Sequence, residues 1–171
     1  MIRRGFTVVE LIITITIMGI LLLLAVVNVS STQQRARDDE RTADVQAIAA
    51  NLEDYYRVGI PSGVTPPGTY PIASVMSQSN TDIRKTLLDV DPKSLVAPGK
   101  SLTFKSLIPA TNATQTITGV TPQPTIDTYV YQPISSNGSL CTPMTDYCRK
   151  FNIYYRLEGN VTVQTVTSRR Q

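Results

Sequence analysis

The sequence predicts an α+β protein, in which a long N-terminal α-helix packs on a C-terminal antiparallel β-sheet head. Three observations carry this. Between Phe6 and Val29 every residue is apolar except Thr7, Glu10, Thr14, Thr16, Gly19 and Asn28. The next stretch, Ser30–Arg57, has no Gly or Pro and repeats Val45, Ile48, Leu52 and Tyr55 at helical spacing. The last third alternates apolar and polar residues with the period of strands.

Composition excludes several functions. The 171 residues carry a formal charge of +3, no His, no Trp and two Cys. Without imidazole there is no Ser-His-Asp triad, no Cys-His dyad and no ordinary zinc or haem site. No catalytic, metal or cofactor-binding residues are expected. The charge is too small for a general nucleic-acid surface.

The run Leu11–Val27 holds 17 uncharged residues, close to the ~20 that span a bilayer core. Arg3 and Arg4 before it bias the N-terminus towards the cytoplasm. A cleaved secretory signal would end in small residues beyond the apolar core, and none of the A-x-A kind follows. A plain signal anchor accounts for the hydrophobicity but not for Glu10, an ionisable group that is costly at that depth unless paired.

Read as Arg3-Arg4-Gly5-Phe6-Thr7-Val8-Val9-Glu10-Leu11, the N-terminus resembles the class III leader of type IV prepilins and type II secretion pseudopilins. The family pattern is a short basic leader, a Gly at the cut, a Phe after it and a Glu five residues into the mature chain. The resemblance implies that a prepilin peptidase cleaves after Gly5 and methylates the amine of Phe6. It also implies that Glu10 pairs with the N-terminal amine of a neighbouring subunit, and that the helix can melt near Gly19 during assembly. Many Gram-negative pilins carry a helix-breaking Pro where this chain has Val27. Gly19 alone weakens a helix by about 1 kcal/mol relative to Ala, so both a continuous and a melted helix stay open.

The segments implied are a leader at 1–5, a membrane or filament-core helix at 6–29, its amphipathic continuation at 30–58 and a globular head at 59–171. In the continuation the apolar stripe faces the sheet, and Arg35, Arg37, Asp38, Asp39, Glu40, Arg41, Asp44, Glu53, Asp54 and Arg57 read as a solvated face or, in a filament, as partners for neighbouring subunits. Favourable Asp38/Arg41 and unfavourable Arg37/Arg41 spacings are mixed there. Gly59, Pro61, Gly63, Pro66, Pro67 and Gly68 end the helix. Leu52, Tyr55 and Gly68-Thr69-Tyr70-Pro71 resemble the Tyr…Gly-x-Tyr-Pro element that follows the long helix in pilins and major pseudopilins.

A short helix is expected over Ile72–Val90, with Ile83, Leu87 and Leu88 inward and Asp91-Pro92 as its stop. Residues 106–128, dense in Thr, Pro, Asn and Gln, read as a loop-rich excursion with room for a strand. Strands are expected at Thr128–Gln132, Phe151–Leu157 and Asn160–Val166, where Val161 and Val163 alternate; Glu158-Gly159-Asn160 is the turn between the last two. Tyr129, Tyr131 and Tyr154 read as an exposed aromatic face serving sheet packing rather than a ligand. Cys141 and Cys148 would most simply form one disulfide in an exported domain; a free thiol pair is the alternative for a cytosolic one. Closing that loop is worth roughly 2.5 kcal/mol, and a Cys-bracketed loop near the C-terminus is common in pilins. The sequons at Asn28, Asn112, Asn137 and Asn160 are too few among so many Ser and Thr to predict modification.

The function so implied is that of a non-enzymatic filament subunit, inserted in the cytoplasmic membrane as a precursor and then extracellular. Its partners would be copies of itself in a helical filament, the prepilin peptidase and an inner-membrane assembly platform. It would serve adhesion, twitching motility or DNA uptake, with any nucleic-acid contact made through the assembled fibre. The alternatives are a major pseudopilin of a type II secretion system and a minor-pilin adhesin at a filament tip. Calcium-binding pseudopilin heads use C-terminal acids, and here Asp127, Asp146 and Glu158 are scattered.

Overall fold

The computed structural model describes residues 6–59, 67–87, 90–142, 147–160 and 162–170, the side chains of 25–28 aside. Helix α1 is Val8–Val58, α2 Ala73–Met76 and α3 Asn80–Thr86; a 3-10 turn at Pro92–Leu95 follows. The strands are β1 Leu107–Pro109, β2 Tyr129–Ser135, β3 Cys148–Arg156 and β4 Val163–Thr167. The arrangement is α+β. The chain divides into two compact units, Met1–Ala36 and Arg37–Gln171.

In the second unit four strands form one sheet in the order β1-β2-β3-β4. The sheet is mixed rather than antiparallel throughout, because β1 runs parallel to β2 while β3 and β4 are antiparallel. After Pro109 the chain crosses over through residues 110–128 before β2 and so returns in the direction of β1. The main core joins the α1 stripe Val45, Ile48, Leu52 and Tyr55 to Tyr129, Tyr131, Phe151, Ile153 and Tyr155. Val130 and Tyr154 fall on the opposite sheet face, where Ala110 and Val120 from the excursion cover them. Tyr129, Tyr131 and Tyr154 are therefore not an exposed aromatic face: all three are buried, on two different faces. The excursion is fastened by Gln132, whose amide donates to the carbonyls of Asn112 (2.9 Å) and Thr114 (3.1 Å).

Gly68-Thr69-Tyr70-Pro71 ties the helix to the sheet. Gly68 takes φ +93°, open to Gly at little cost, and its N–H donates to Tyr56 O at 2.7 Å. Tyr70 then bridges to Cys148, packs edge-on against Phe151 and donates its hydroxyl to Glu53 at 3.0 Å. The Tyr131 hydroxyl donates to Pro71 O at 2.7 Å.

Local polar chemistry moves three boundaries. The single helix expected over Ile72–Val90 is broken into α2 and α3. Ser77 back-bonds to Ser74 O, and Ser79 caps α3 by accepting from Asp82 N. Ile83 and Leu87 are buried as expected; Leu88 lies outside the described residues. Asp91-Pro92 starts a turn instead of stopping a helix, with Asp91 accepting from Lys93 N and Pro92 at the first helical position. The β3–β4 loop runs from Arg156 to Val163, longer than the expected three-residue turn. Val161 lies outside the described residues.

That loop is pinned by an ion cluster around one buried guanidinium. Arg41 is 1% exposed. Its guanidinium donates to Glu158 at 2.6 Å, to Asp38 at 3.1 Å and to the Ile126 carbonyl at 2.8 Å. Arg37 grips the same Glu158 carboxylate with two bonds of 2.9 and 2.7 Å. Asp38 accepts the backbone N–H groups of Glu158 and Gly159 at 2.7 and 2.9 Å. The expected solvated face is thus partly inward, and the like-charged Arg37 and Arg41 are reconciled by one carboxylate between them. The Arg37 hydrogen bonds, with Arg41 adding, hold the Glu158 pKa down at about 2. Four residues on from Glu40, Asp44 is buried at 8% exposure. Desolvation, reinforced by Glu40, pushes its pKa up to about 6 against the bonds from Ser94 and Tyr129.

Two pH effects of opposite sign follow. Glu158 has a folded pKa far below its ordinary 4.5, so its stabilisation is present above that value and is lost as pH falls towards 2. Glu158→Gln should lower the melting temperature at pH 7 and flatten its fall on acidification; equal acid sensitivity in both proteins would refute the clamp. Asp44 has a raised pKa, so the fold gains from its protonation below pH 3.8 and loses that gain as pH rises through about 6. Asp44→Asn should raise the melting temperature at pH 7.5, with the advantage shrinking by pH 4.

Candidate functional site

The first unit presents the chemistry the sequence singled out. From Phe6 to Leu24 every large apolar side chain is more than half exposed, Phe6 at 76%. Helix α1 is, among the described residues, the one helix long and apolar enough to cross a membrane, judged by length and composition. Its polar residues are satisfied locally. The Thr14 and Thr16 hydroxyls donate to the carbonyls of Leu11 and Ile12 at 2.8 and 2.7 Å, which lets them sit on an apolar surface.

Glu10 lies in the first turn. Its backbone N–H donates to Thr7 Oγ1 at 3.2 Å, and the Thr7 hydroxyl reaches back to Glu10 Oε2 at 3.4 Å. The Thr7 carbonyl accepts the first helical bond, from Leu11 N. Thr7 is therefore the N-cap, and Thr7-Val8-Val9-Glu10 is a capping pair, a variant of the box in which the carboxylate meets the cap hydroxyl. The S/T-x-x-E spacing was the signal for Thr7, a site residue that the reading of Glu10 alone passes over. The carboxylate also faces the positive end of the helix dipole. Gly5 lies outside the described residues. At Gly19 the helix is unbroken, and a methyl group added there would meet no atom within 4 Å. Val27 is likewise helical.

The remaining sequence candidates are in the second unit. Cys141 and Cys148 are both fully buried in the main core. Cys141 N donates to Pro133 O at 3.0 Å, and Cys148 O accepts from Tyr70 N at 2.9 Å. Residues 143–146 between them, Asp146 included, lie outside the described residues. Asn112, Asn137 and Asn160 bond their own turns, Asn112 donating to Gly119 O and the other two accepting from Ser139 N and Thr162 N. Asp127 pairs with Lys100 at 2.9 Å, and Glu158 belongs to the Arg37–Arg41 clamp. Among the described residues no group of three or more His, Cys, Asp or Glu is placed to hold a metal.

Residues 1–26 match the family model of the prokaryotic N-terminal methylation motif. This is the class III prepilin leader of type IV pilins and pseudopilins, and it implies processing by prepilin peptidase and assembly into a filament. It points to a structural subunit rather than an enzyme. The match ends within α1. No curated protein and no solved structure matches the chain.

The cap is testable apart from processing. Thr7→Ala should weaken the first turn by about 1 kcal/mol, seen as faster amide exchange at Glu10 and Leu11 in detergent micelles, with exchange in the second unit unchanged. Unaltered exchange at both amides would remove Thr7 as the cap.

Proposed function

We propose that the chain is a pilin, the structural subunit of an extracellular type IV pilus-like filament. The observation that carries this reading is the class III leader joined directly to the exposed apolar stretch Val8–Leu24 of α1, whose single ionisable group is Glu10. Cleavage after Gly5 frees the amine of Phe6, which is then methylated, and the apolar helix holds the subunit in the cytoplasmic membrane. On assembly the helices are removed from lipid into the filament core. There an unpaired carboxylate costs several kcal/mol, so Glu10 takes the Phe6 amine of a neighbouring subunit and sets the stagger between copies.

Two further assignments belong to the same reading. Gly19 is where α1 loosens on assembly; in the isolated chain nothing sterically requires a glycine there. Cys141 and Cys148 form a disulfide once exported, supported by their burial in one core cluster. The cut removes Arg3 and Arg4, leaving 14 basic against 13 acidic residues, a near-neutral surface suited to close tiling of heads.

The experiment is comparison of wild type, Gly5→Val and Glu10→Leu in the native host. Gly5→Val should leave an uncut precursor in the membrane. Glu10→Leu should give a cut, membrane-inserted subunit with filament yield reduced at least tenfold in sheared preparations. Normal filament yield from Glu10→Leu would overturn the pairing, and export of other proteins failing with no sheared filament would favour a secretion pseudopilin.

A further inference from the structure

The sheet ends on a strand with an open edge. β4 is last in the order β1-β2-β3-β4, and among the described residues nothing pairs with its far side. Ser168 N donates to Phe151 O at 2.9 Å, which fixes the phase of the β3–β4 ladder. By alternation Gln164 and Val166 face β3, while Val163 and Thr165 turn their N–H and C=O groups outward. Neither Val163 nor Thr165 has a backbone partner on that side among the described residues. Natural edges are blunted by Pro, by charge or by a bulge. Val163-Gln164-Thr165-Val166-Thr167 has no Pro, no charge and an unbroken register against β3, and its residues favour extended backbone.

A groove follows this edge on each face of the sheet. On the helix face one of about 240 Å³ is lined by Ala49, Ala50, Phe151 and Val166, and its two charged members, Glu53 and Arg169, are opposite in sign. On the other face a second groove of about 240 Å³ is lined by Gln115, Asn152 and Thr165, with Lys150 as its one charged residue. Thr167 lines both, so the two grooves meet at β4. A strand laid against β4 satisfies the outward groups of Val163 and Thr165 and sends alternate side chains into the two grooves. Lys150 stands on β3, two strand spacings or about 10 Å from such a strand. Its own stem and a glutamate side chain together cover that distance. The linings therefore set the ligand: small apolar residues towards the helix, acidic ones towards Lys150.

We propose that β4 is a docking edge for an extended peptide segment that alternates small apolar and acidic residues. The backbone ladder supplies affinity, and the two grooves read the side-chain pattern. The proposal uses only the second unit and does not rest on the filament reading.

The test adds a fluorescein-labelled peptide, Thr-Val-Glu-Val-Glu-Val-Thr, to the full chain in detergent and follows binding by anisotropy. Wild type should bind it, and should bind Thr-Val-Lys-Val-Lys-Val-Thr roughly tenfold more weakly because like charges then meet at Lys150. Lys150→Glu should reverse that preference, whereas Arg84→Glu, the same charge change at an exposed site on α3, should leave it in place. Ala50→Phe fills the helix-side groove and should weaken both peptides. Thr165→Pro removes an outward N–H that β3 does not use and should do the same; if it lowers the melting temperature, Ala50→Phe and Lys150→Glu carry the test. The proposal is overturned if wild type binds neither peptide, if Lys150→Glu leaves the preference unchanged, or if Arg84→Glu reverses it equally. It is also overturned if the chain is a dimer that Thr165→Pro dissociates, since a second copy then occupies the edge.

Discussion

The head is organised around one guanidinium taken out of water. Arg41 is a helix residue with almost no exposure, and a lone buried cation would cost several kcal/mol, a large part of a domain's net stability. Every element near it is arranged to meet its N–H groups: Asp38 from its own helix, the Ile126 carbonyl from the excursion, and Glu158 from the loop between the last two strands. Asp38 then spends its other capacity on the backbone of that loop, so the cluster fixes a chain segment as well as a charge. Exchange of these groups for apolar ones of equal volume need not destabilise the head. Loss of Glu158 or Asp38 alone must, because Arg41 stays buried and charged.

Helix α1 answers to two physical regimes along its length. In Arg37–Val58 its apolar residues are spaced to make one stripe, which closes a core with the tyrosines and Phe151 of β2 and β3. In Val8–Leu24 it is apolar on every side and none of it is buried within the chain. A helix apolar all round is stable only inside something apolar. A lipid bilayer and a bundle of identical helices both qualify, and the leader motif names a family that uses the two in turn.

How much of this was legible follows from range. The α1 core stripe, the class III leader and the central strands were readable because each rests on short spacings: three and four residues in a helix, two in a strand, five from Gly5 to Glu10. The inward turn of Arg41 was not, since it depends on Ile126 and Glu158, more than 80 residues away, and that of Asp44 depends on Ser94 and Tyr129, likewise far along the chain. Charged residues in a Gly-free helical stretch look solvated until the partner that buries them is known. The burial of Tyr154 had the same cause, namely a Thr-rich excursion that folds back over the sheet. The misplaced stop at Asp91-Pro92 was of a different kind. Asp before Pro ends one helix and caps the next equally well, and only the backbone on each side decides between them.

The geometry at Glu10 bears on how a subunit can hold a carboxylate ready in an apolar helix. In the isolated chain the Thr7 hydroxyl, the Glu10 backbone N–H and the helix dipole together give the first turn a self-contained polar end. The bond to the carboxylate itself is long, 3.4 Å, and made by a neutral donor, so it is among the weaker of its kind. A cationic amine offers a stronger, charge-assisted partner. Exchange of the hydroxyl for the amine leaves the Thr7 cap on the Glu10 backbone N–H intact, because that bond uses a different atom of Glu10. On the proposed reading, assembly therefore draws on the carboxylate without unwinding the turn that presents it.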